Sequence, residues 1–153
     1  MHKIFNQKGI TIVEILIVIA IIGIISVIVF PQFSKTKENQ VFKNAVGDIL
    51  SSLNKTHSQT LASLDSSEYG IHFQSDKIII FKGTVYSGID PNNEIVNIIS
   101  PANISNINLS GGGSEIYFNR LSGIPNKTGD ITVSVPSVSK IITISATGAF
   151  GVN

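Results

Sequence analysis

The chain changes its hydrophobic rhythm twice. From Ile10 to Phe30 apolar residues run almost unbroken, twenty-one positions with no Asp, Lys, Arg or His and a single acid, Glu14. At about 1.5 Å per residue, a helix of that length spans roughly 31 Å, close to the thickness of a bilayer's hydrocarbon core. A core helix of a soluble protein would keep a polar face. Here only Thr11, Glu14 and Ser26 interrupt the run. It exceeds the roughly 7–15 apolar residues of a secretory signal, and no small-x-small cleavage site follows it. The pattern predicts a transmembrane helix over residues 10–30.

Beyond the polar stretch "QFSKTKENQ", Phe42, Val46, Ile49, Leu53, Leu61 and Leu64 recur at threes and fours, and His57 completes the stripe. The reading is one long helix from Ile10 to Leu64, with residues 31–64 as its amphipathic half. His57 falls on the packed face, with no second His or acid at ligand spacing. After "LDSSE" the period becomes two. "YGIHFQ", "KIIIFKGTVY", "NEIVNII", "NISNINL", "SEIYFNRL", "DITVSV" and "KIITISATG" are short β-branched and aromatic runs, separated by Gly, Pro, Asn and Ser. The expected class is α+β: a long N-terminal helix packed on a mostly antiparallel β-sheet domain over residues 65–153.

Charge changes this picture little. Lys and Arg number 11 against 10 acids, a formal net charge of +1. Both cations ahead of Gly9, Lys3 and Lys8, lie where there is no acid, and the body from Ile10 onward is near neutral. The basic start favours a cytoplasmic N-terminus, opposed in part by Lys35 and Lys37 beyond the apolar run. A near-neutral body gives no general reason to expect nucleic acid as partner. The absence of cysteine excludes disulfides, a thiol nucleophile and a thiolate metal site.

"KGITIVE" followed by the apolar run resembles the N-terminus of type IV pilins and type II secretion pseudopilins. In that family a basic leader ends in Gly, a membrane peptidase cuts after it and the new amine is methylated. Glu stands fifth in the mature chain and Pro commonly twenty-second. Counting Ile10 as one, Glu14 is fifth and Pro31 twenty-second; Ile10 itself stands where the family usually has Phe. The resemblance implies a leader over 1–9, cleavage and N-methylation at Gly9 and Ile10, and a filament-core role for the helix over 10–30. It also implies other pilin subunits, the prepilin peptidase/methyltransferase, an inner-membrane assembly platform and membrane lipid as partners. The chain would sit in the cytoplasmic membrane, single-pass with its globular domain outside, before entering a pilus or pseudopilus. "YGIHF", "IYFNRLSGIPNKTGDITVS" and "KIITISATGAFG" further resemble the GspH/FimT-like pilin domain through Tyr69, Gly70, Phe118, Gly123, Gly129, Ile131 and Gly148.

That resemblance gives Glu14 a purpose. Cleavage after Gly9 would create a charged amine on Ile10, and Glu14 of one subunit could pair with the amine of another. An unpaired buried charge is costly and a paired one much less so. The plainer reading is a carboxylate that stays protonated or lies at headgroup level. Gly23 and Pro31, among mediocre helix formers, mark where the helix could break or bend.

Other chemistry is thin. Asp90, Asn92 and Glu94 in "DPNNE" space three oxygen side chains as a calcium loop does, but lack the remaining ligands, and Asp-Pro-Asn-Asn is a turn sequence. "SGGG" (Ser110 to Gly113) is followed by no Lys, so a phosphate loop is not indicated. Some FimT-like pilins bind DNA through basic residues near the C-terminus, and here Arg120, Lys127 and Lys140 could form only a sparse patch. No catalytic signature and no cofactor emerge. The function classes are therefore a structural pilin or pseudopilin, a DNA-binding minor pilin for transformation, and an uncleaved membrane-anchored binding domain.

Overall fold

Helix α1 runs Ile12–Leu61. The structure, a computed structural model, describes residues 9–153, the side chains of Phe30, Pro31 and Ser34 excepted. Of the expected leader over 1–9, all but Gly9 lies outside these residues. Contacts divide the chain into two compact units, one up to Lys37 and one from Glu38 to Asn153.

In the first unit, Ile12–Val29 is long and apolar enough to cross a membrane, and none of it is buried within the chain. The helical backbone passes Gly23 and Pro31 without interruption, so neither ends α1 in this structure. Ser26 donates its hydroxyl to the Ile22 carbonyl at 2.7 Å, which satisfies the one polar side chain in mid-run without a partner from outside.

The second unit contains the lower half of α1 and eight strands: β1 Tyr69–Phe73, β2 Lys77–Lys82, β3 Glu94–Asn97, β4 Asn103–Leu109, β5 Glu115–Phe118, β6 Gly129–Val135, β7 Val138–Ile144 and β8 Phe150–Val152. They form two four-stranded sheets, ordered β3-β2-β1-β5 and β4-β6-β7-β8, with every pairing antiparallel. Alternation sets the faces. Ile71, Phe73, Ile78, Ile80, Ile116 and Phe118 of the first sheet join Ile131, Val133, Ile142 and Ile144 of the second in one core. Phe42, Ala45, Val46, Ile49 and Leu53 of α1 complete it. Each of these side chains except that of Ala45 stabilises the fold by roughly 1.5–3 kcal/mol relative to exposure.

Polar contacts fasten the helix at several points. Ser137, in the β6–β7 turn, donates both its N–H (2.9 Å) and its hydroxyl (2.6 Å) to the Glu38 carboxylate. Lys55 pairs with Glu94 at the start of β3 at 2.6 Å. At the far end of α1, Tyr69 N–H donates to Thr60 Oγ1 at 3.2 Å. Asp65 accepts from Lys82 and from the Tyr69 hydroxyl; the Lys82 hydrogen bond and charge hold its carboxyl below the usual value. Burial, then the Asp65 hydrogen bond and charge, push the Tyr69 phenol up.

The predicted stripe needs one correction. Phe42, Val46, Ile49 and Leu53 are buried, but Leu61 and Leu64 are exposed, and α1 stops at Leu61 rather than Leu64. Ser52, Thr56 and Thr60 take the buried positions instead. Each returns its hydroxyl to the carbonyl four residues back, so burial leaves no orphaned oxygen. Ser63 (φ 51°) then turns the chain out of the helix.

Candidate functional site

Two short segments carry the functional expectations, and the first is the start of α1. Gly9 and Ile10 precede the helix and are exposed, Ile10 by 74%. Thr11 caps the helix: its Oγ1 accepts the Glu14 backbone N–H at 3.2 Å, and its carbonyl accepts Ile15 N–H at 3.3 Å. Thr11-Ile12-Val13-Glu14 therefore has the spacing of a capping box, with Glu14 at its third helical position. An acid in the first turn also favours the positive end of the helix dipole. The Thr-x-x-Glu spacing was readable in the sequence, and the capping role of Thr11 is the local feature that the hydrophobic pattern hides.

Glu14 is exposed, with Ile10, Ile15, Val18 and Ile19 around it in a shallow groove. Its carboxylate makes no hydrogen bond or ion pair among the described residues. Apolar side chains are likewise exposed on all sides of the helix, as at Ile12, Val13, Ile15, Ile17 and Val18. An apolar rod of this kind is satisfied only by lipid or by other apolar helices.

The second segment is the loop between β2 and β3. Asp90 Oδ1 accepts both the N–H and the side-chain amide of Asn92 at 2.9 Å, an Asx-type turn. Glu94 is bonded to Lys55 through both carboxylate oxygens. The three candidate calcium ligands are thus drawn into a turn and an ion pair, not gathered around one point. Among the described residues no group of three His, Cys, Asp or Glu could hold a metal ion.

The three candidate DNA contacts are similarly dispersed. Arg120 donates to the Ser66 carbonyl at 2.8 Å and Lys127 to the Gly112 carbonyl at 2.8 Å, while Lys140 lies exposed on β7 opposite Val133. Two of the three cations are tethering loops. His57 is a packing residue, its ring edge-on to Phe118 (5.3 Å between centroids) and Phe150 (6.0 Å).

An exposed apolar helix preceded by a glycine, with an acid in its first turn, is the arrangement that the resemblance to pilins and pseudopilins implies. Residues 4–30 match the family model described as the prokaryotic N-terminal methylation motif. The chain is also similar to the type II secretion system core protein G of Pectobacterium carotovorum subsp. carotovorum, 32% identical over 81 residues, which are 53% of this chain and 50% of that protein. The chain thus spans about half the length of the curated relative it matches. No solved structure matches. Motif, relative and α+β architecture together support the pilin and pseudopilin family.

Proposed function

We propose that this protein is a structural subunit of a type IV pilus or type II secretion pseudopilus, a filament component rather than a catalyst. The carrying observation is the register of Gly9, Ile10 and Glu14 at the head of an apolar helix that buries none of itself. Peptidase cleavage after Gly9 frees the Ile10 amine for methylation. The helix is held in the cytoplasmic membrane, N-terminus inward, until an assembly platform transfers it into the filament. There the exposed apolar side chains pack against those of other subunits, and Glu14 pairs with the amine of a neighbour. The β-rich unit would face outward and give the subunit its surface. The GspH/FimT-like pattern of Tyr69, Gly70, Phe118, Gly123, Gly129, Ile131 and Gly148 supports a minor subunit of that branch.

N-terminal mass spectrometry of protein from its native host tests this directly. The expected mature chain begins at methylated Ile10. An intact Met1, or a cut after Phe30, overturns the reading.

A further inference from the structure

Charge is missing from α1 over an interval different from the one that hydrophobicity marks. Between Glu14 and Lys35 there are twenty consecutive uncharged residues, Ile15 to Ser34, and the backbone is helical throughout. At about 1.5 Å per residue, Glu14 and Lys35 are separated by roughly 32 Å along the axis, the thickness of the hydrocarbon core. The apolar run from Ile10 to Phe30 is therefore not the segment that fits between charges. Shifting the span four or five residues toward the C-terminus places every ionised group of this helix outside the hydrocarbon.

The residues at both ends suit that position. Thr11 and Glu14 make up the polar first turn, where helices leave N–H groups without intrahelical acceptors. At the other end Phe33 is 72% exposed, and Gln32, Lys35, Thr36 and Lys37 are exposed with it. Lys35 and Lys37 are two residues apart and project from nearly opposite sides of the helix, so one reaches the phosphates whichever way it tilts. Long basic side chains near the ends of membrane helices reach such boundaries with their charged heads.

We propose that, before assembly, the helix is held between two electrostatic stops: Glu14 in one headgroup layer, and Lys35 with Lys37 on anionic phospholipid headgroups in the other. Glu14 opposes movement that would draw the first turn into hydrocarbon. The two lysines oppose movement the other way. Glu14 then lies in hydrated headgroups in the free subunit and becomes buried only on entering a filament. The inference rests on the membrane-anchored reading of α1.

The native chain has no cysteine, so single substitutions give clean depth probes. Full-length protein carrying Val13→Cys, Val18→Cys, Val29→Cys or Thr36→Cys is reconstituted in phosphatidylcholine–phosphatidylglycerol vesicles. It is then reacted with N-ethylmaleimide, which crosses bilayers but attacks the thiolate formed in aqueous layers. The probes at positions 13 and 36 should react at least about tenfold faster than those at 18 and 29. Lys35→Ala with Lys37→Ala should slow position 36 toward the rate of position 29, and Glu14→Ala should slow position 13. A slow position 13 beside a fast position 29 overturns the proposed register. Rates unchanged by either charge removal overturn the two stops. Failure of the protein to float with the vesicles overturns the membrane reading beneath both.

Discussion

His57 lies where three parts of the second unit meet. Its ring is edge-on to Phe118 of β5 and Phe150 of β8, whose centroids are 6.0 Å apart and also edge-on. Two turns close over it with glycines in left-handed conformations, Gly123 (φ 65°) and Gly148 (φ 82°). A Cβ on Gly148 would meet the Gly123 carbonyl at 2.7 Å and His57 Nε2 at 2.8 Å. A Cβ on Gly123 would collide with His57 Nε2 and approach Leu61 Cδ2 to 2.9 Å. These are the positions that sequence resemblance marks with glycine, and here the reason is physical: both turns must come within contact distance of one imidazole. Gly123→Ala and Gly148→Ala should each destabilise the unit by about 1–3 kcal/mol, from backbone strain plus overpacking. Urea unfolding followed by circular dichroism reads this. The clash at Gly123 is with side chains, so His57→Ala should relieve part of the Gly123→Ala loss; the clash with backbone at Gly148 should persist. Additive losses for His57→Ala and Gly123→Ala in a double-mutant cycle would show that the imidazole does not set the glycine requirement.

Among the elements, α1 and the strands were legible to different depths. The period-two runs mark strands because β-branched residues alternate between a core and an outer face; the seven runs fall on strands β1 to β7, with β6 and β7 beginning one and two residues before theirs. β8 escaped because Phe150–Val152 is three residues long with a central glycine, too short to show alternation. In the second run, "KGTVY" leaves the sheet at Gly83, and Tyr86 returns to stack on His72 with centroids 4.0 Å apart. The division into two sheets was not readable at all. Alternation says which face a residue occupies but not which strand lies beside it. In α1, Thr56 and Thr60 stand three and seven residues beyond Leu53, on the packed face, and are fully buried; their polar letters hide them from an apolar pattern, and the helix satisfies their hydroxyls internally. The Thr11 cap and the charge-free interval both lay in plain letters, obscured by the stronger apolar signal. Since the buried stripe begins at Phe42 and Glu38 is fastened to Ser137, the second unit holds its helix by its own contacts. Removing residues through Phe33 should leave a soluble, folded domain. A cooperative thermal transition with mixed helix and sheet circular dichroism is the expected result, and a disordered spectrum would contradict it.

At the scale of the whole molecule, the proposed function would have one chain satisfy two environments in succession, and Glu14 is the residue on which they would make opposite demands. In the membrane, the first turn of α1 can keep Glu14 among hydrated headgroups at little cost, with its backbone N–H already capped by Thr11. If the chain enters a filament as proposed, the same turn would be surrounded by apolar helices and its carboxylate would lose water. The proposed pairing with the Ile10 amine of a neighbour would offset that loss, and the match would then favour a subunit seated at the correct height over one shifted by a turn. Glu14→Ala separates the two demands. Membrane insertion should be unchanged, because the apolar side chains between Ile15 and Val29, which the chain itself leaves exposed, would still be there to face lipid. Processing after Gly9 should largely survive, since the cut precedes the helix. Incorporation should fall, because the neighbour's amine is then buried alone, a loss of about 3–5 kcal/mol when one partner of a buried pair is removed. The ratio of protein in sheared filaments to protein in the membrane pool, mutant against wild type in cells carrying the complete machine, reads that loss. Filament number is counted alongside, because a subunit confined to a tip would act on initiation rather than on its own share of the filament. Equal incorporation together with equal filament number would mean that Glu14 serves only the membrane-resident chain, and the pairing with Ile10 would have to be abandoned.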